Sequence, residues 1–325
     1  MEYKNLGDSG LKVSAVGLGC MNFGMMNDEG ESHEIVHAAL GLGVNLFDTA
    51  DVYGERGKSE LYLGKALGSR RSEAIVATKF AGPMSDEHAD MRGGSRRYIM
   101  RAVEASLNRL DTDYIDLYQM HLYDETTPVE ETLRALDDLV RDGKVRYIGC
   151  SNYKAWQIAN ADWTVRAAHL NRFISSQSRY SLLTRDIEQE LVPACQHYGL
   201  GILPYFPLES GLLTGKYKQG EAMPEGTRLE KWGAWAGGAF ASDEKFAKVE
   251  ALNELCKRYD HSLLDMSIGW LASRPHVSSV IAGVTSISQL EQNVAAGAWA
   301  PSPEELAEID AITAPPAERF GPPGR

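Results

Sequence analysis

Cysteine is scarce: Cys20, Cys150, Cys195 and Cys256 are the only four in 325 residues. They lie far apart with no C-x-x-C pair, which excludes a zinc ribbon and a disulfide framework. Long apolar runs are absent, and none approaches the roughly 18 to 20 residues that a spanning helix needs. The opening MEYKNLGDSG has no basic stretch leading into an apolar one, so it does not read as a signal peptide. These absences set the expectation of a cytoplasmic protein without membrane insertion. Positive charge is in deficit, 33 basic against 45 acidic residues, and a net charge of −12 repels nucleic acid. The eight histidines include no H-x-H pair; His33-Glu34-Ile35-Val36-His37 matches H-E-x-x-H in spacing, but without a further ligand signal no metal is expected.

The usual nucleotide fingerprints are missing too. Gly17-Leu18-Gly19 begins a G-x-G, but Asn22 occupies the third glycine position. Gly211–Lys216 falls one residue short of a P-loop, and Tyr217 stands where Ser or Thr should follow. Tyr53 and Lys58 miss a Tyr-x-x-x-Lys spacing by one. An anionic cofactor would therefore be held by local lysines or arginines, backbone N–H groups and helix N-termini.

What is present is alternation. Short apolar runs at Val16–Leu18, Asn45–Phe47, Ala74–Thr78, Tyr114–Gln119, Val145–Gly149, Phe173–Ser176, Gly201–Tyr205 and Ser278–Ala282 read as buried strands. Between them Ser32–Gly41, Ser95–Leu110, Val129–Arg141, Lys154–Leu170, Ile187–Tyr198 and Asp243–Tyr259 keep a helical rhythm, with Gly143 and Gly199 placed as terminators. Eight strands alternating with helices imply parallel strands and crossovers, and the count favours a closed (β/α)8 TIM barrel over a doubly wound sheet. Tyr3–Leu6 and Leu11–Val13 form a candidate N-terminal β-hairpin capping the barrel floor. Gly-rich Ser210–Ala241 reads as a long loop after strand 7. Residues 1–313 are expected to form one barrel domain, and the four-proline tail 314–325 to be mobile.

In such a barrel the C-terminal strand ends face the active site. Asp48 follows one strand, Tyr53 lies in the loop after it, Lys79 ends the next and His121 the one after. The types fit carbonyl reduction, because hydride addition leaves charge on oxygen that a proton and a hydrogen bond must meet. A nearby ammonium is expected to lower the tyrosine pKa from its ordinary ~10, with an aspartate pinning the lysine. Each residue has a structural alternative: an Asp48–Lys79 ion pair, a satisfied strand-end His121, Tyr53 as a turn residue. A Schiff base on Lys79 is a rival chemistry.

The segments Phe47–Gly54, Ala77–Lys79, Asp113–His121 and Tyr147–Asn152 resemble the aldo-keto reductase signature, and the likeness runs from Tyr3 to about Ile312. It looks closest to the branch that includes potassium-channel β-subunits. The resemblance implies Tyr53 as general acid, Lys79 and Asp48 as its tuning pair, and His121 orienting a small aldehyde or ketone. It implies extended NADPH across the barrel mouth, with NADH possible. Ser151, Asn152 and Gln177 would meet the nicotinamide amide, with Tyr205 as the stacking aromatic. Pro207, Leu208, Ser210, Gly211, Leu213 and Lys216 would meet the pyrophosphate with Phe206 beside it, and Met21 would be a further cofactor-binding residue. Gly283, Thr285, Gln289, Gln292 and Asn293 would take adenosine. Pro204 and Phe206 replace the family's common Ala and Ser, and Gly283 and Gln289 replace basic residues that clamp a 2′-phosphate in some members. Lys216 or Arg228 is expected to supply that charge. Leu122-Tyr123 stands for an Arg-aromatic pair, implying a less cationic substrate pocket, with Phe23, Tyr123, Trp232 and Trp235 as candidate walls. An NADP(H)-sensing, partner-binding subunit is the alternative function, and both monomer and homo-oligomer stay open.

Overall fold

The computed structural model describes residues 1–225, 227, 229–230 and 242–315. Strands β1 (Tyr3–Asn5) and β2 (Lys12–Ser14) pair antiparallel as a hairpin. Eight further strands follow: β3 (Val16–Gly19), β4 (Leu46–Asp48), β5 (Ile75–Phe80), β6 (Ile115–Met120), β7 (Val145–Ser151), β8 (Phe173–Arg179), β9 (Gly201–Tyr205) and β10 (Val280–Gly283). All are parallel, in the order β10-β3-β4-β5-β6-β7-β8-β9. The Ile202↔Val277 bridge brings β9 against the approach to β10 and closes the ring. This is the expected (β/α)8 barrel.

The helices are α1 (Glu29–Gly41), α2 (Tyr53–Leu67), α3 (Arg96–Leu110), α4 (Val129–Arg141), α5 (Ala155–Ala168), α6 (Leu191–Tyr198), α7 (Asp243–Tyr259), α8 (Leu263–Ala272), α9 (Ile287–Ala296) and α10 (Pro303–Thr313). Local chemistry fixes many starts: Asp28 and Glu31 form a capping box on α1, and the Ser95 hydroxyl accepts from the Tyr98 N–H on α3. Gly199, at φ +70°, ends α6 as expected. The helix expected over Ile187–Tyr198 is shorter, because Pro193 has no N–H to give and is tolerated only in a first turn; α6 therefore begins at Leu191. Packing α2 against α3 requires Gly64, where a Cβ would lie 2.5 Å from the Leu110 carbonyl oxygen.

Strand interiors are filled by side chains, among them Leu46, Ala77, Leu117, Leu203 and Ile281, so the barrel is a packed core and not a pore. The hairpin lies under the barrel floor. Its Asp8 N–H donates to the Gly199 carbonyl, and Ser278 Oγ donates to the Asn5 carbonyl at 3.0 Å. Lys4 Nζ donates to the Ala272 carbonyl on the same side. Among the described residues no helix is long and apolar enough to cross a membrane.

Candidate active site

Most strands run one to three residues further at their C-terminal ends than the apolar pattern alone marks, so polar residues sit on strand ends inside the mouth. Lys79 lies within β5, with no accessible surface, and Asp48 closes β4. Lys79 Nζ is 2.7 Å from Asp48 Oδ2, donates to the Thr49 carbonyl at 2.9 Å, and reaches the Tyr53 hydroxyl at 3.4 Å. All three ammonium donors are thus directed. Asp48 Oδ1 in turn accepts from the Gln177 amide at 2.7 Å and from Gln119 at 3.4 Å. Burial disfavours the Lys79 charge, yet Asp48 and Tyr53 outweigh it and hold its pKa above the ordinary lysine value. A lysine so held is charged and has no free lone pair, which removes the Schiff-base reading.

Tyr53 stands at the start of α2 and not in a loop. Residues 54–56 then make a left-handed turn, φ +62°, +58° and +66°, before the regular helix. A left-handed Glu55 and Arg56 are costly for L-residues. The turn is flanked by Gly54 and Gly57 and by the ion pair of Arg56 with Asp86 at 2.5 Å. Its effect is to leave the phenol pointing at Lys79 instead of along the helix. Tyr53 and His121 meet edge to face, ring centres 5.7 Å apart. The expected lowering of the Tyr53 pKa is corrected. Burial raises it, and the pull of Lys79, itself countered by Asp48, does not overcome that. The phenol therefore carries its proton across neutral pH. His121 is pushed down to about 3, by burial first and by the Lys79 charge second. Its ring is neutral, and Nδ1 is buried without a partner.

From this cluster a cavity of about 1100 Å³ extends across the barrel mouth. Met21, Asp48, Tyr53, His121, Ser151, Asn152, Gln177 and Tyr205 line it, with Phe206, Pro207, Leu208, Ser210, Gly211 and Lys216 of the loop after β9 and Gly283, Thr285, Gln289, Gln292 and Asn293 from the end of β10 and α9. Asn152, at φ +59°, is fixed between neighbours: its amide donates to the His121 carbonyl and its oxygen accepts from the Tyr205 hydroxyl at 2.7 Å. The Thr285 N–H donates to Gln289 Oε1 at 2.9 Å. Among the described lining residues Lys216 is the one lysine or arginine, and it shares the lining with Glu225 and Asp265.

Several expected site residues fall elsewhere. Phe23 has no accessible surface and belongs to the core with Leu18, Phe47 and Leu63, so it is no pocket wall. Tyr123 packs edge-on against Tyr153 and Trp156, outside the cavity lining. Leu213 is wholly buried beneath the loop beside Leu212. Arg228, Trp232 and Trp235 lie outside the described residues. Conversely, Met26, Thr214 and the α8 start, Ser262–Asp265, line the cavity without having been singled out. The S-x-x-D spacing at Ser262 signals a helix start. Nothing local to it says that this start faces the mouth.

The site residues fit a dinucleotide. Ser210 Oγ is buried in the lining with no partner, and Gly211 forms a cradle where a Cβ would lie 2.6 Å from Lys216 Cε. Among the described residues no cluster of three or more His, Cys, Asp or Glu side chains forms a metal site.

A parallel barrel with a buried lysine, aspartate and tyrosine at its C-terminal mouth beside a large cavity defines an oxidoreductase site of one particular architecture. The chain belongs to the aldo/keto reductase family, whose model matches residues 15–314. It is 37% identical over 305 residues to an uncharacterized oxidoreductase, YrpG, of Bacillus subtilis, covering 91% of each chain. It is 38% identical over 321 residues to a probable voltage-gated potassium channel subunit beta of Oryza sativa, covering 96% of each. Versiconal hemiacetal acetate reductase of Aspergillus parasiticus is 34% identical over 343 residues, covering 98% of each.

Proposed function

We propose that the protein reduces neutral aldehydes or ketones to alcohols with NADPH, Tyr53 serving as the general acid. The observation that carries this is the Lys79 ammonium, buried between Asp48 and the Tyr53 phenol beside the cavity. When bound, the reduced nicotinamide supplies hydride. The chain's own residues do the rest. Neutral His121 orients the substrate oxygen by a hydrogen bond, and Tyr53 hands that oxygen its proton. Lys79 stabilises the phenolate left behind, while Asp48 keeps the ammonium charged and in place. Ser151, Asn152, Gln177 and Tyr205 hold the nicotinamide end, Ser210, Gly211 and Lys216 the pyrophosphate, and Gln289, Gln292 and Asn293 adenosine. Lys216 is the described candidate for a 2′-phosphate.

Replacing Tyr53 by Phe tests the reading. NADPH consumption with 4-nitrobenzaldehyde should fall by about 10² to 10⁴-fold, the usual worth of a positioned proton donor. Cofactor should still quench tryptophan fluorescence. Undiminished turnover in that variant removes Tyr53 from the chemistry. The likeness to the Oryza sativa and Arabidopsis thaliana channel subunits favours a second reading, an NADP(H)-sensing subunit. Bound cofactor without turnover across a broad carbonyl panel would select it.

A further inference from the structure

The loop after β9 that lines the cavity is held in an unusual shape. Phe206, Glu209 and Ser210 all have positive φ, +51°, +46° and +57°, followed by Gly211 at +97°. L-residues rarely adopt this region, and such strain persists only where the surroundings over-determine it. Three backbone bonds brace the turn, from the Glu209 N–H to the Phe206 carbonyl and from the Gly211 and Leu213 N–H groups to the Leu208 carbonyl. They act only within the turn and tie it to nothing outside.

The Tyr217 hydroxyl donates to the Ser210 carbonyl at 3.3 Å, and Glu209 ties the turn to elements further away. Its carboxylate has no accessible surface, although it lies next to cavity-lining Ser210. Three elements converge on it. Arg179, the last residue of β8, donates from both Nε and Nη2. The Ser181 hydroxyl donates at 2.8 Å from the following segment, and Lys245 Nζ donates at 2.9 Å from α7. Burial alone would raise the Glu209 pKa, but Arg179, by hydrogen bond and by charge, and then Lys245 hold it below the ordinary glutamate value. Glu209 and Lys245 are 36 positions apart and bracket the long segment between β9 and α7.

We propose that Glu209 is a positioning residue for the cofactor: a clasp that joins the two ends of this segment and keeps Phe206–Gly211 in the form that receives the pyrophosphate. The inference rests on the reading of the cavity as a dinucleotide site and deepens it. Glu209 itself touches no ligand, because its oxygens are spent on Arg179, Ser181 and Lys245. What it controls is the fraction of molecules whose loop is ready. Apparent affinity falls in proportion to that fraction.

The test is Glu209→Gln in the full chain. The shape is kept, but an amide turned either way sets its NH2 against an N–H or O–H donor, since Arg179 and Lys245 meet on one oxygen and Arg179 and Ser181 on the other. If the loop is then competent a tenth of the time, the Kd and KM for NADPH rise about tenfold. The kcat at saturating cofactor stays within about twofold, and amide hydrogen exchange over Phe206–Thr214 quickens in the ligand-free protein. A general structural defect would lower kcat and speed exchange elsewhere as well. Lys245→Met, which loosens the clasp from its other end, should raise the Kd in the same way by a smaller factor, and it decides the matter if Glu209→Gln does not fold. If the wild type binds no nicotinamide dinucleotide, the reading of the cavity fails. If the wild type binds and both variants bind as tightly, or if kcat falls with Kd unchanged, the clasp is refuted while that reading stands.

Discussion

Replacing Asp48 by Asn isolates the electrostatic centre of the site. Lys79 is wholly buried and 2.7 Å from Asp48 Oδ2. At an effective dielectric constant of about 20, unit charges at that separation attract by roughly 6 kcal/mol. Removing one partner of a buried pair costs about 3 to 5 kcal/mol, because the other is stranded. The amide cannot compensate. Asp48 accepts from Lys79 on one oxygen and from Gln177 and Gln119 on the other, so an NH2 group turned either way opposes a donor. The stranded lysine can escape only by releasing its proton, so its folded pKa, held above the ordinary lysine value by Asp48 and Tyr53 in the wild type, would drop below that value. The sign then follows from linkage. Below that folded pKa the lysine is charged in both states and the whole deficit is felt. Above it the unfolded chain binds the extra proton, so stability recovers as pH rises, by about 1.4 kcal/mol per unit. Urea denaturation at pH 7 and 9.5 should show the variant about 3 to 5 kcal/mol less stable than wild type at the lower pH, with about 2 to 3 kcal/mol regained at the higher. The wild type shows no such recovery from Lys79, whose proton is held through this range. A deficit under 1 kcal/mol, or one independent of pH, would refute the reasoning.

Other expectations follow from the same geometry. Asp51, buried with one oxygen unpartnered, has a pKa raised to about 8 by burial first and by the charge of Glu60 second. Its proton is held more tightly folded than unfolded, so the wild type loses stability as pH climbs from about 4 to 8. Asp51→Asn should be more stable near pH 8 by on the order of 5 kcal/mol and no different at pH 4, as read by urea denaturation at the two pH values. Because His121 stays neutral down to about 3, the pH profile of kcat/KM for carbonyl reduction should show no limb near 6.5; a limb there assigns it a charged role. Gly64→Ala should lower stability by about 2 kcal/mol or more in urea melts, since its methyl meets the Leu110 backbone and the resulting strain exceeds the ~1 kcal/mol helix-propensity gain.

Much of the architecture was legible because it is written in local terms. Apolar strands such as Gly201–Tyr205 and amphipathic helices such as Val129–Arg141 carry their period in the residues themselves. The convergence of Asp48, Lys79 and His121 follows from barrel geometry, which sends strand ends to one mouth. What escaped depends on contacts across the fold. The left-handed turn after Tyr53 is only hinted at by Gly54 and Gly57. Phe23 looks like a wall residue because it stands in a loop, yet its side chain turns into the core. The raised Tyr53 pKa reflects how much protein surrounds the ring, which no spacing reveals. Glu209 is invisible as a hub because Arg179, Ser181 and Lys245 are brought to it by three separate elements.

The hairpin beneath the barrel has a bearing on how the chain is made. Gly7 and Ser278 are hydrogen-bonding partners 271 positions apart, and Asp8 waits likewise for Gly199. On the ribosome, residues 3–14 can meet Gly43 and Asn45 early, but the surface that receives Gly7 and Asp8 emerges much later, and docking that turn is among the last steps of assembly. Until Ser278 has been synthesised, the ring stays open at the seam beside β9, with a strand edge available to any other nascent chain.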